Sequence, residues 1–243
     1  MFLVLIGSLL GECIGWTTQQ AGRVVHDIAP IKAHQHEQLG SGSEQLLWWH
    51  TEDAFHPLRG DYIGMFCLRN PDRVPTTFAN LKGLGELSAD QRRLLMEPHF
   101  TIRPDNSHQQ KVLSDIGAQA AQGASYDAIE RMNERPDKIA VLFGDPAEPY
   151  ARLDPYFMDP VEDPPGAQQA LDALKAILDR DLRDLVLQPG DVCFIDNFQG
   201  VHGRKPFKAR YDGTDRWMKR VNVVRDLRKS REIRASSTSR IMN

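Results

Sequence analysis

The chain has 243 residues, 41% of them apolar and 26% charged, and its 30 basic and 33 acidic residues give a net charge of -3. These values suit one globular domain spanning residues 1–243 with an ordinary hydrophobic core. They exclude a global basic field for nucleic acid and a polybasic block for a membrane surface, so neither partner is expected and any charged ligand is recognised locally.

Three cysteines, Cys13, Cys67 and Cys193, are scattered and form no CxxC pair. They read as free buried thiols in a reducing cytoplasm rather than a disulfide framework or a zinc site. The first ten residues, MFLVLIGSLL, are apolar, but no Lys or Arg precedes Arg23 and Glu12 interrupts the run. They read as a core helix or strand with a natural neighbour upstream, not as a secretory signal or a membrane span. Residues 13–31 read as extended segments with turns at Gly15 and Gly22, and 39–43 (LGSGS) as a flexible loop. Strands follow at Leu46–His50, Asp61–Leu68 and Val74–Ala79.

The middle of the chain reads as helical. Ser88 is an N-cap for ADQRRLLM, Ser125 caps a short helix through Met132, and Gly166–Leu182 carries one apolar stripe of Leu171, Leu174, Leu178 and Leu182. Lys138–Phe143 and Tyr150–Met158 read as extended, and Asp159–Gly166 as a loop. The end returns to strands at Leu185–Leu187, Val192–Ile195 and Val221–Val224. Strands in the first and last thirds with helices between them predict a mainly β fold with flanking helices, a jelly roll closed around a site.

His50 and Glu52 end the Leu46 strand, where residues two apart share a face and could share one metal. That spacing alone is common by chance. A second signal is Asp196–Arg204 (DNFQGVHGR), in which a polar turn leads to an exposed His202 on a ligand-bearing loop. Two imidazoles and one carboxylate form a facial set that leaves three coordination positions open on one side, two for a keto acid such as 2-oxoglutarate and one for dioxygen. A closed zinc site needs a fourth protein ligand, and none is apparent. Fourteen residues after His202 comes Arg216, then Arg220 on the same face of a strand. A fixed guanidinium clamps a carboxylate through two hydrogen bonds, so one arginine suits the keto acid and the other a substrate carboxylate. His34-Gln35-His36 has no Cys or third His beside it and reads as ordinary structure.

The segments WHTEDAFHPLRGDYIGMFCLRN, LQPGDVCFIDNFQGVHGRKPF and DGTDRWMKRVNV resemble the clavaminate synthase-like amino acid hydroxylases. Within that group they are most similar to the arginine, enduracididine and asparagine β-hydroxylases, over about Leu10 to Arg231. The resemblance implies a double-stranded β-helix and iron(II) held by His50, Glu52 and His202. It implies 2-oxoglutarate and dioxygen as cosubstrates, with Arg216 binding the 2-oxoglutarate carboxylate beside Thr77, or beside its neighbour Thr76. It further implies a free L-amino acid substrate, hydroxylated at the β-carbon, whose α-carboxylate meets Arg220. Asp154 lies in RLDPYF, the segment that carries guanidinium-binding acids in the arginine hydroxylases. Tyr156 stands where some members have a second acid, which leaves arginine, an arginine-derived cyclic amino acid, lysine and asparagine open. Gln38 and Ser43 are expected to line the side-chain pocket. Members usually carry a longer N-terminal region, so the implied oxygenase domain lacks part of it. Desaturation or ring closure suits the same residues, and a non-catalytic binding protein is the reading from another class.

Overall fold

The computed structural model describes residues 2–109 and 123–243. A short helix α1 (Phe2–Gly7) is followed by β1 (Glu12–Trp16), β2 (His26–Ile28), β3 (Leu47–His50), β4 (Tyr62–Arg69) and β5 (Thr76–Asn80). Helices α2 (Ala89–Leu95) and α3 (Ala124–Glu134) precede a small hairpin of β6 (Leu142–Gly144) and β7 (Pro149–Ala151). Helix α4 (Ala167–Asp181) then leads into β8 (Arg183–Leu185), β9 (Val192–Asp196), β10 (Gly200–Arg204), β11 (Trp217–Val224) and β12 (Ile241–Met242).

Two larger sheets result. One runs β12-β1-β11-β4-β9, with β2 also paired to β11; the other runs β3-β10-β5-β8. Their facing sides contribute to one apolar cluster of Ile63, Met65, Cys67, Ile195 and Met218, against which Phe78 of the second sheet packs. This is the expected jelly roll. The strand alternation explains how the smaller sheet serves two purposes. Trp49, Ala79 and Val201 point to one side and join Leu171, Leu174 and Leu178 of α4 and Leu95 of α2 in the largest core cluster. Their neighbours His50, Thr76 and His202 point to the other side, into the space between the sheets.

The local sequence accounts for most of these elements. Ser88 caps α2 in a full capping box with Gln91, and the predicted stripe of α4 is buried. Some local details differ, among them that the expected Tyr150–Met158 segment is strand only at its start, in Pro149–Ala151, and that β8 is Arg183–Leu185. Helix α3 begins at Ala124 with Gly123 as N-cap, so Ser125 lies inside it. Gly15 sits within β1, not at a turn, whereas Gly22 has the expected left-handed φ of 75°. Phe2–Gly7 is a helix, one of the two expected forms, but it is only half buried, with Leu3 inside and Leu5 exposed. All three cysteines are free, as expected.

Candidate active site

β3 and β10 are antiparallel neighbours, and their register sets His50 directly opposite His202. Directly opposed residues in such a pair place their side chains on the same face, and the two imidazole centroids are 4.7 Å apart. His202 is therefore a buried strand residue, not the exposed loop residue that the turn before it suggests. The misreading has a physical source in the two glycines of GVHGR. They look like turn residues, but here they permit close strand packing: a Cβ at Gly203 would lie 2.5 Å from the Leu47 carbonyl oxygen, and one at Gly200 would lie 2.5 Å from the Phe78 ring.

Glu52 is not on β3, which ends at His50. It occupies the following turn, where two neighbours fix it. The Asn197 side chain accepts from the Glu52 N–H at 2.7 Å and donates to the Glu52 carbonyl at 3.0 Å. Asp53 adopts a left-handed φ of 50°, uncommon for a residue with a side chain. Its carboxylate receives Trp16 Nε1 at 2.7 Å and Gln19, His108 and Asn222 donors at 3.1 Å. Asp53, Asp105 and His108 also form a compact acid–imidazole group, but these four bonds occupy the Asp53 oxygens and make it the anchor of the Glu52 turn.

The consequence is a convergent donor set. His50 Nε2 and His202 Nε2 lie 3.6 and 3.4 Å from the same Glu52 oxygen, Oε2. Donors about 2.1 Å from one ion and at right angles are about 3 Å apart, so the arrangement fits a facial metal site. His50 Nδ1 is 2.8 Å from the Trp48 carbonyl and can only donate there, which leaves the Nε2 lone pair for an ion. Among the protein groups alone, burial disfavours a His50 cation, but Glu52, Asp154 and the Trp48 carbonyl outweigh it and raise its pKa to about 9. Burial lowers that of His202 despite Glu52 beside it. Burial opposes ionisation of Glu52 too, yet Arg220 and the two imidazoles hold it well below the usual carboxylate range.

A cavity of about 80 Å³ opens from these donors, lined by Arg216, Arg220, Thr76, Asp154 and Gln38. Arg216 is 5% exposed, donates to Thr76 Oγ1 at 3.0 Å and keeps its Nε without a partner. Burial lowers its pKa to about 10. Among the described residues no carboxylate pairs with it. Arg220 donates to Glu52 Oε1 and, at 2.8 Å, to His26 Nδ1. Asp154 is buried, and its desolvation raises its pKa to about 7. Its position follows from Thr51, whose N–H donates to the Leu153 carbonyl at 2.9 Å.

Two expected residues lie elsewhere. Thr77 pairs with Gly203 on β10 and faces the helix side of the sheet; Thr76, opposite Arg204, is the threonine that meets Arg216. Ser43 is buried outside the cavity, 2.9 Å from the Tyr211 hydroxyl. Gln38 does line the cavity, and its amide bridges the Leu46 carbonyl and the Trp48 N–H. Arg204 ties this loop to β10 by donating to the Gly42 and Gln45 carbonyls. Tyr156 is 46% exposed and does not line the cavity. Asp105 and Ser107 do line it. No spacing in the sequence connects them to His50, because tertiary packing alone brings them together.

The chain matches the family described as "Taurine catabolism dioxygenase TauD, TfdA family" over residues 3–222. It is 48% identical over 242 residues to enduracididine beta-hydroxylase of Streptomyces hygroscopicus, covering 98% of this chain and 70% of that protein. It is 45% identical over 246 residues to L-ornithine/L-arginine 3-hydroxylase of Catenulispora acidiphila, covering 100% of this chain and 71% of the relative. Among solved structures it superposes on the non-heme iron oxygenase OrfP in complex with Fe, succinate and (3S)-hydroxy-L-Arg, with a TM-score of 0.91 and 51% identity over 99% of this chain and 70% of that one. OrfP in complex with Fe and alpha-ketoglutaric acid gives a TM-score of 0.86 at 49% identity, over 100% of this chain and 69% of that one. The chain therefore belongs to the TauD/TfdA dioxygenase family, in its branch of iron- and 2-oxoglutarate-dependent amino acid hydroxylases.

Proposed function

We propose that the chain hydroxylates free L-arginine, or an amino acid with an arginine-like side chain, at the β-carbon. His50, Glu52 and His202 hold iron(II). Arg216 and Thr76 bind the distal carboxylate of 2-oxoglutarate, Arg220 receives the substrate α-carboxylate, and Asp154 receives the cationic end. The observation that carries the reading is Arg216. A buried guanidinium without a carboxylate partner is costly, and this one opens on the same cavity as the metal donors. A dianionic keto acid bound in this cavity would offset that cost by pairing with Arg216. The names of the relatives, both hydroxylases of arginine-like amino acids, support the substrate class.

Iron(II), 2-oxoglutarate and dioxygen supply the oxidising chemistry, which yields succinate, carbon dioxide and a hydroxylated C–H position. The protein supplies geometry. Glu52 presents Oε2 to the two imidazoles and Oε1 to Arg220, so one carboxylate would hold the metal on one side and orient the arginine for the substrate's α-carboxylate on the other. Met65, Met218 and Ile28 give the cavity an apolar wall that limits water near the reacting carbon. Three free thiols suit a reducing compartment, and on that ground we assign the enzyme to the cytoplasm.

A panel of L-amino acids scored for succinate release and product mass tests this. Arginine or enduracididine should lead, with a product heavier by an oxygen atom; loss of two hydrogens would mean desaturation, and uncoupled succinate release with every amino acid would sink the substrate assignment. Burial favours the protonated form of the Asp154 carboxyl, which must ionise to pair with a guanidinium. Its raised pKa of about 7 means that the KM for arginine should fall as pH rises through that value. In Asp154→Asn the KM should be higher and flat across the same range; a pH profile identical to wild type would remove Asp154 from this role.

A further inference from the structure

The three-residue strand β2 has a function that its sequence, HDI, does not advertise. It pairs with β11 so that His26 lies opposite Arg220 and Ile28 opposite Met218. Residues 26 and 28 thus face the site. Asp27, pointing the other way, accepts from Trp217 Nε1 at 2.6 Å and from Lys219, which locks the register. His26 is 2% exposed. Its Nε2 is 2.9 Å from the Arg23 carbonyl and can only donate there, so its Nδ1 carries the lone pair that Arg220 donates to at 2.8 Å.

Arg220 is therefore held from two sides, by Glu52 Oε1 and by His26 Nδ1, with its buried Nε unpartnered. It stands in the wall shared by the metal cavity and a second cavity of about 300 Å³ lined by His26, Gln19, Arg23 and Ser41. Glu52 is the stronger attractor, since a charged acceptor outcompetes a neutral one. Without a counter-acceptor the guanidinium would turn wholly onto Glu52 and away from an incoming carboxylate.

We propose that His26 is a positioning residue that holds the Arg220 guanidinium away from full engagement with Glu52 and in register for the substrate α-carboxylate. The proposal rests on the assignment of Arg220 to that carboxylate. Loss of one hydrogen bond to a charged group corresponds to about a tenfold change in an equilibrium constant. His26→Leu is accordingly expected to raise the KM of the iron-loaded enzyme for arginine about tenfold, with kcat and the KM for 2-oxoglutarate little changed. His26→Asn, whose amide oxygen can replace the Nδ1 acceptor, should restore most of that loss.

A nitrogen spectrum of the histidine rings in zinc-loaded, ¹⁵N-labelled protein reads the pairing without turnover. Wild-type His26 should show a protonated Nε2 and a hydrogen-bonded bare Nδ1, and the Nδ1 signal should move to that of a free ring nitrogen in Arg220→Met. An unchanged arginine KM in His26→Leu overturns the proposal. So does a parallel rise of both KM values with a lower Tm, a failure of His26→Asn to rescue, or an Nδ1 signal indifferent to Arg220→Met. If wild type turns over none of the amino acids, the substrate reading fails by itself, while the nitrogen spectrum still decides the His26–Arg220 pairing.

Discussion

His202→Ala protein is expected to lose stoichiometric iron(II) and to release succinate from 2-oxoglutarate no faster than chelator-treated wild type. The reason is geometric. The donor set draws on three places in the fold: the end of β3, the turn after it and the middle of β10. A facial site has only three protein ligands, so removing one leaves an imidazole and a carboxylate that is already partly neutralised by Arg220. The fold should survive, because Val201 and Gly203 carry the packing on the other face of the strand. His36, whose side chain is 67% exposed and 3.8 Å from Glu44, is the matching control; its replacement by alanine should change neither iron content nor turnover. Normal iron binding and turnover by His202→Ala would remove His202 from the ligand set.

Arg216→Lys should raise the KM for 2-oxoglutarate by roughly two orders of magnitude, the scale of truncating one partner of a buried charge pair. A lysine keeps the charge but lacks the rigid planar fork that grips a carboxylate through two parallel hydrogen bonds. The neighbouring threonines sharpen the test. Thr76→Val removes the hydroxyl that accepts from Arg216 at 3.0 Å and should raise the same KM about tenfold. Thr77→Val, on the opposite face of β5, should leave it near wild type. Initial rates of succinate release against 2-oxoglutarate concentration distinguish these outcomes; a larger effect at Thr77 than at Thr76 would contradict the placement.

The contrast between those two threonines shows where the sequence stops being informative. Residue alternation along β5 is plain, but which parity faces inward depends on the pairing of Thr76 with Arg204. A shift of one residue exchanges the two faces. His50 and Glu52 do converge, but not by strand alternation. The strand stops at His50, and Glu52 returns to the same side because Asn197 holds its backbone and Asp53 is anchored by four donors. His202 was legible as a candidate ligand and illegible as a strand residue, since glycine on both sides mimics a turn. Helix α4 and the capping box of α2 were readable because their signals are local. His26, Asp105 and His108 carried no local signal at all. The partners that fix His26 and His108, Arg220 and Asp53, lie 194 and 55 positions away, and Asp105 meets the cavity only through the fold.

Arg220 now has a more demanding position than its spacing from Arg216 suggested. It touches the Glu52 oxygen that faces away from the imidazoles, and it touches His26 in the wall of a second cavity. On the proposed assignments, Glu52 and Arg220 would link the metal to the amino acid through one ion pair. The cost of a misplaced Arg220 should fall on amino acid binding and on the tightness of coupling between succinate and hydroxylated product.

Anaerobic addition of 2-oxoglutarate to the iron(II)-loaded protein probes the three metal ligands and Arg216 in one titration. Wild type should show a visible charge-transfer band that saturates at one cosubstrate per chain; the band should need more 2-oxoglutarate in Arg216→Lys and be absent in His202→Ala. A wild-type protein without the band, or a His202→Ala protein with the band undiminished, would contradict that ligand set.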